Sequence, residues 1–245
     1  MKKLGIIGCG AIGTLIAKAA DKGIIECDKL ILYDYNIEKA ERLRSLHVPV
    51  TVVHSFNELI ELKPEVIIEA ASQEAVRDYA SRILSEDIEL IIMSVGALLD
   101  MDIDSSKIHI PTGAIGGLDA ISSASLAGIK EVLLTTRKNP GILDTDSIEE
   151  KLVYEGTAEE AVKLFPRGIN VAATLALAVK PKRVKVKIIS DPKTDRHVHE
   201  ITVRWEHGEM SLKFVNDYHP ENPKTSALAA WSAINLLKEI LVTKT

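Results

Sequence analysis

Only two cysteines, Cys9 and Cys27, occur in 245 residues, and no spacing among them makes a disulfide framework or a zinc site. No structural metal is expected, and a reducing, cytoplasmic setting fits. Long runs of one charge sign are also missing. With 30 Lys and Arg against 35 Asp and Glu, a net charge of −5, the chain offers no broad basic surface for nucleic acid or an anionic membrane. A local cationic pocket is compatible with that balance. No window approaches the ~20 apolar residues of a membrane span. The opening "MKKLGIIGCGAIG" starts basic and turns apolar, but four glycines interrupt it, so it reads as a strand entering a turn and not as a signal peptide. Aromatics make up 4% of the residues and Gln73 is the sole glutamine, against many Ile, Glu and Lys, a composition of thermophilic character. Repeats and low-complexity linkers are absent. These absences leave a soluble chain whose partner is a small molecule.

What is present is apolar material, 46% of the residues, enough for one large or two small cores. In the first hundred residues short apolar runs at 3–7, 30–34, 50–53, 65–70 and 90–94 alternate with amphipathic segments. Strands apolar on both faces and spaced by helices predict a parallel sheet covered on both sides. Asn36, the Ser55/Glu58 pair and the Thr157/Glu160 pair sit where helix starts need caps. Beyond about residue 130 the strands alternate polar and apolar, at 131–138, 183–190, 198–205 and 210–215, and predict an antiparallel sheet with helices layered on it. The segment 222–241 carries Pro223 before a capping Thr225 or Ser226 and an apolar stripe through Leu228, Trp231, Ile234 and Leu237. The fold class expected is therefore α/β. Residues 1–110 form a Rossmann dinucleotide-binding domain, completed by a returning helix at 222–245, and residues 111–221 form an α+β domain on an antiparallel sheet.

The stretch "GCGAIG" carries the chemistry of the first domain. It sets Gly8, Gly10 and Gly13 around Ala11 and Ile12, directly after a strand and before a helix. Gly8 allows the tight turn, Gly10 lets a pyrophosphate approach backbone N–H groups, and Gly13 lets the helix pack close to the strand. Asp34 follows at the end of the second strand, about 20 residues on, where a carboxylate can accept the ribose hydroxyls of an adenosine. It would repel a 2′-phosphate and so favours NAD over NADP, a preference that Lys39 or Arg42 could soften. Ala71 and Ser72, in the loop after the fourth strand, lie at the carboxyl edge where a nicotinamide arm is expected, as does "SVGALL" after the fifth.

In the second domain "RHVHEITVRW" puts His197 and His199 on one strand face with Ile201, Val203 and Trp205, about 7 Å apart. A buried imidazole needs a partner for each nitrogen, so the pair reads either as satisfied core or rim polarity or as a working site. Two histidines without clustered Cys or carboxylates are too few for zinc. An imidazole titrating near ~6.5 can serve as base and later as proton donor. "NPKTS" offers Lys224 and the hydroxyls of Thr225 and Ser226 at a helix start, a seat for a carboxylate or a plain cap. Lys193 and Arg167 are further cationic candidates.

Four stretches, "PTGAIGGLDAI" (111–121), "FPRGINVAATLAL" (165–177), "DPKTDRHVHEI" (191–201) and "NPKTSALAAWSAI" (222–234), stand in this order behind the glycine fingerprint. Over essentially the whole chain they resemble L-aspartate dehydrogenases of the kind that serve NAD biosynthesis. The resemblance implies NAD(P)-dependent oxidation of L-aspartate to iminoaspartate, which hydrolyses to oxaloacetate and ammonia or passes on toward quinolinate. It places the catalytic histidine at His199 and cofactor contacts at Ala120 and Asn170, and it implies a homodimer; His197, by its place on the same strand face, either contacts the substrate or supports His199. "PRGIN" departs from the family's pattern at Gly168. Two other readings share this layout: a reductase of the homoserine dehydrogenase or dihydrodipicolinate reductase kind, and a nucleotide-sensing module without hydride transfer.

Overall fold

The structure, a computed structural model, describes residues 2–103, 106–143, 145–166, 168–179, 183–219 and 222–243. The chain divides into two compact units, residues 1–111 with 229–245, and residues 112–228.

The first unit is built on six parallel strands, β1 (Lys3–Ile7), β2 (Lys29–Tyr33), β3 (Val50–Val52), β4 (Val66–Glu69), β5 (Glu89–Ile92) and β6 (Ile108–His109). They lie in the order β3-β2-β1-β4-β5-β6. This is the doubly wound arrangement, whose strand order reverses beside β1. The four residues of β4 are all buried, as are the last four of β1, because helices α1 (Ala11–Asp21), α2 (Ile37–Glu41), α3 (Phe56–Glu61) and α4 (Gln73–Ser85) supply the covering layers. Helix starts follow the expected chemistry: Asn36, Ser55 and Ser72 each accept a backbone N–H of the first turn. The Ser55 cap varies the expected box, since Glu58 reaches back to the N–H of His54, one residue earlier.

The second unit carries a five-stranded sheet of β7 (Ile129–Lys138), β8 (Lys151–Thr157), β9 (Lys185–Ser190), β10 (His197–Trp205) and β11 (Gly208–Asn216), in the order β11-β10-β7-β9-β8. Helices α5 (Leu118–Leu126) and α6 (Ala158–Leu164) pack on it, α7 (Asn170–Ala178) packs against both, and α6 carries the full capping box between Thr157 and Glu160. The sheet is mixed, because β7 and β9 run parallel while the other pairs are antiparallel. Polar–apolar alternation fits either direction; the crossover through β8, α6 and α7 is what permits the parallel pair. Strand β8, which sequence periodicity did not single out, forms one edge of the sheet. A short ladder, β12 (Tyr218–His219) with β13 (Asn222–Ser226), completes the unit.

Of the two expected helix caps, Ser226 immediately precedes the last helix, although among the described residues its hydroxyl makes no bond, whereas Thr225 is corrected. Residues 222–226 are strand, as suits a segment with Pro223 and β-branched Thr225, and α8 runs from Ala227 to Thr243. Its buried stripe also differs from the expected one: Ala233, Ile234, Leu237, Ile240 and Leu241 join the core of the first unit, whereas Leu228 and Trp231 stay exposed. Each fully buried Leu or Ile in that core contributes about 1.5–3 kcal/mol of transfer free energy. Among the described residues, no helix is long and apolar enough to cross a membrane.

Candidate active site

In the first unit the glycine turn sits between β1 and α1, and two of its glycines are demanded by the chain itself. Gly8 has φ +93°, and a Cβ there would lie 2.7 Å from the Ala70 carbonyl carbon. A Cβ on Gly13 would lie 2.0 Å from the Gly8 carbonyl oxygen. Gly10 is different: a Cβ would meet nothing within 4 Å, so no packing in this unit asks for glycine there. Gly10 caps α1 without a side-chain bond, and Ala11 and Ile12 follow in the first turn, where backbone N–H groups have no helical acceptor. An open face beside such N–H groups fits a pyrophosphate.

Asp34 lies one residue beyond β2. Its Oδ2 accepts the N–H of Cys9 at 2.7 Å and its Oδ1 that of Asn36 at 2.8 Å. The carboxylate thus ties the glycine turn to the end of β2, and an ionised carboxylate with about four acceptor sites keeps capacity for ribose hydroxyls.

Glu69, which sequence reading passed over, closes β4 as a buried carboxylate. It accepts the N–H of Ala71 at 2.7 Å, the N–H of Ser94 at 2.9 Å and the Ser94 hydroxyl at 2.9 Å. Burial pushes its pKa up, and the backbone and hydroxyl donors of Ser94, Ala71 and Ser72 act against that shift. One side chain therefore sets the loops after β4 and β5, including Ala71 and Ser72. The sequence signal was a single charge ending the apolar run "EVIIE" of a strand buried on both faces.

In the second unit the buried face of the sheet changes character along its length. Leu134 of β7 pairs with Val186 and Ile201, an all-apolar row. One row on, Thr136 pairs with Ile188 and His199, and beyond it Lys138 pairs with Ser190. Five polar side chains at this end, Thr136, Lys138, Ser190, His197 and His199, are buried. His199 Nδ1 lies 3.0 Å from Thr136 Oγ1, and among the described residues its Nε2 has no hydrogen-bond partner. The two histidine rings are 6.5 Å apart, centroid to centroid, and His197 also meets the Tyr218 ring edge-on at 4.7 Å.

His197 Nε2 donates to the carbonyl of Pro223 at 2.9 Å. A carbonyl only accepts, so this nitrogen carries the hydrogen of the neutral ring, and Nδ1 is left as a buried lone pair without a partner among the described residues. Burial and the charge of Lys138 hold His197 down to about 4. The same two causes, with His197 as a third, hold His199 down to about 3. The expected imidazole titrating near neutrality is thus corrected: both rings are neutral at physiological pH, because the sheet face that positions them also strips their water.

Lys138 is the second residue sequence reading missed. Its ammonium donates to the carbonyl of Gly168 at 3.0 Å, in the "PRGIN" segment, and burial followed by the charge of Lys224 lowers its pKa to about 8. A Cβ on Gly168 would stand 3.7 Å from this nitrogen, an ordinary contact, so the family departure at Gly168 leaves the bond intact. Strand parity held the signal, since Lys138 shares its face with Val132, Leu134 and Thr136.

Other expected residues are distributed less tightly. Ser226 is buried with its hydroxyl unpartnered, in register with Tyr218, so "NPKTS" reaches His197 through Pro223 and Tyr218. Lys224 is exposed, and Thr225 is half-buried in β13. Lys193 is exposed, with its N–H turned into an Asp191 turn. Ala120 is exposed on α5, and Asn170 opens α7 just after Gly168. Arg167 lies outside the described residues. Among the described residues no three His, Cys, Asp or Glu side chains cluster as metal ligands do.

A doubly wound sheet with a glycine turn and a strand-end carboxylate, joined in one chain to a sheet with a buried histidine and lysine at one end, is the build of a nicotinamide-dinucleotide oxidoreductase. Comparison with known proteins narrows the class. Residues 119–240 match the family described as "Aspartate dehydrogenase, C-terminal", and residues 8–107 match "Homoserine dehydrogenase, NAD binding domain". An L-aspartate dehydrogenase of Methanothermobacter thermautotrophicus is 43% identical, over 97% of this chain and 95% of its own length. One from Methanosarcina barkeri is 42% identical, over 98% and 97%. The crystal structure of the Thermotoga maritima aspartate dehydrogenase superposes with a TM-score of 0.77 at 30% identity, covering 98% of this chain and 97% of that one. Aspartate semialdehyde dehydrogenase II of Vibrio cholerae, at 11% identity and a TM-score of 0.60, shares the fold. The chain belongs to the L-aspartate dehydrogenase family.

Proposed function

We propose that this protein oxidises L-aspartate to iminoaspartate, which water converts to oxaloacetate and ammonia, and that His199 is its acid–base group. A bound nicotinamide dinucleotide supplies the hydride acceptor. The turn of Gly8, Gly10, Ala11, Ile12 and Gly13 binds its pyrophosphate, Asp34 its adenosine ribose, and Ala71 and Ser72 line its nicotinamide arm. The family resemblance adds contacts from Ala120 and Asn170. Asp34 favours NAD over NADP, because a carboxylate repels a 2′-phosphate; the exposed Lys39 and Arg42 moderate that preference.

Hydride can leave the α-carbon of an amino acid only from the neutral amine. His199 is suited to take the ammonium proton: Thr136 holds Nδ1, and Nε2 has no partner among the described residues. That one observation carries the assignment. The proton accepted at Nε2 is available again when water adds to the imine. His197 braces the neighbourhood through Pro223, and Ser226, Thr225, Lys224 and Lys193 are the polar groups from which the remaining substrate contacts are drawn. The working form is a homodimer in the cytoplasm, feeding NAD biosynthesis.

The test is the formation of reduced nicotinamide from NAD or NADP with L-aspartate, run beside L-homoserine, L-glutamate and L-alanine. Turnover with L-aspartate, faster with NAD, is expected. Turnover with L-homoserine alone, or none with any of them while NADH still binds, refutes the reading.

A further inference from the structure

We propose that Lys138 is the cation that seats a carboxylate of the substrate. The inference rests on the aspartate-oxidising reading above and adds to it the group that recognises the acid.

The buried polar end of the sheet carries charge of one sign. Lys138 is 4% exposed; among the described residues its ammonium makes one hydrogen bond, to the Gly168 carbonyl, and has no carboxylate within ion-pairing distance. Among the described residues the charged or titratable groups acting on this end are His197 and His199 from β10 and Lys224 from β13, with Tyr218 of β12 against the His197 ring, and none of them is an anion. Thr136 and Ser190, its other polar neighbours in the ladder, are neutral hydroxyls. A buried ammonium without a counter-ion is costly, and a methionine of similar length would fill the space without that cost. An unpaired buried charge of this kind belongs to a site completed by a ligand of opposite sign.

The second unit holds further unfilled bonding capacity. Among the described residues His197 Nδ1 and Ser226 Oγ are buried without partners, and Nδ1 is a lone pair, so the site asks for an N–H donor as well as for an anion. An amino acid with a carboxylate and an ammonium offers both.

The seat also bears on His199. Burial first, and then the charge of Lys138, hold this ring down to about 3. A carboxylate on Lys138 cancels that charge, and the second carboxylate of a dicarboxylic substrate adds a negative field, so His199 becomes more basic when the correct substrate is bound. In the step itself the substrate N–H bond breaks, the N–H bond at His199 Nε2 forms, and the amine keeps the electron pair that assists hydride departure.

Succinate is the probe, because it presents two carboxylates and has no ammonium to titrate near pH 9. Its inhibition constant and the KM for L-aspartate are measured for the holoenzyme in wild type, K138M and K138R. K138M should raise both by roughly 10–100-fold, the size of one charge-assisted contact, while NADH affinity stays within about twofold. K138R should recover part of the loss. In wild type, succinate affinity should fall about tenfold per pH unit above 8, as the lysine loses its proton, and K138M should lack that fall. K138M with wild-type constants overturns the proposal, as does a flat wild-type succinate profile from pH 7 to 9.5. Should K138M fail to bind NADH, the wild-type pH profile decides alone. Absence of L-aspartate turnover in wild type refutes the functional reading instead, and succinate binding by calorimetry then still reports on the seat.

Discussion

His199 Nδ1 and Thr136 Oγ1 face each other at 3.0 Å from directly paired positions on β10 and β7. Strand pairing fixes both Cα positions, so the hydroxyl aims the ring. When Nδ1–H donates to Thr136, the lone pair of the neutral ring resides on Nε2, the nitrogen without a partner among the described residues.

Thr136→Val keeps the shape and removes the hydroxyl. It should lower kcat by about tenfold with little change in the KM for L-aspartate, while Thr136→Ser retains most of the rate. Steady-state kinetics of the two variants check this. A rise in KM without a fall in kcat would assign Thr136 to substrate binding and not to positioning.

Acid should weaken the protein through the same rings. His199 is held at about 3 and His197 at about 4, against 6.5 for an unperturbed histidine. Unfolding lets each ring bind a proton below pH 6.5 that the folded site refuses, so their contribution is intact above that pH and is lost as pH falls toward 4 and then 3. At pH 5, about 1.5 pH units below the unfolded value, His199 alone costs on the order of 2 kcal/mol, a drop of several °C in Tm. Thermal melts at pH 7.5 and pH 5 should show a smaller drop for H199Q than for wild type. Equal drops would place the acid sensitivity elsewhere.

Glu69 gives a third expectation. Glutamine at this position has one acceptor oxygen and brings an NH2 group against the N–H donors of Ala71 and Ser94. Glu69→Gln should cost about 2–3 kcal/mol of stability, the usual penalty for unsatisfied buried donors, and raise the KM for NAD as the two loops loosen. Denaturant unfolding beside NADH titration separates the two effects. A variant as stable as wild type would mean that the loops hold themselves.

Much of this molecule is legible in its residues because the relevant physics is local. The glycine turn is spelled by conformational need at Gly8 and Gly13, Asp34 by its distance from them, and the Asn36 and Thr157 caps by side-chain chemistry next to the bonds they make. The pairing of β7 with β9 was not legible, since alternation is blind to strand direction. Thr225 was misread because a β-branched residue after proline caps a helix or extends a strand with equal ease, and the β12 partner decided it. Lys138 and Glu69 were overlooked because a charge at a strand end ordinarily lies in water. Strand parity marks the first, and the two-sided burial of β4 marks the second.

The most direct test of the account compares wild type with H199A in NAD-dependent oxidation of L-aspartate, with NADH affinity measured on both. The assignment predicts a fall in kcat of roughly 10²-fold or more with NADH binding within about twofold. Wild-type turnover in H199A would contradict it and remove the acid–base role from this histidine.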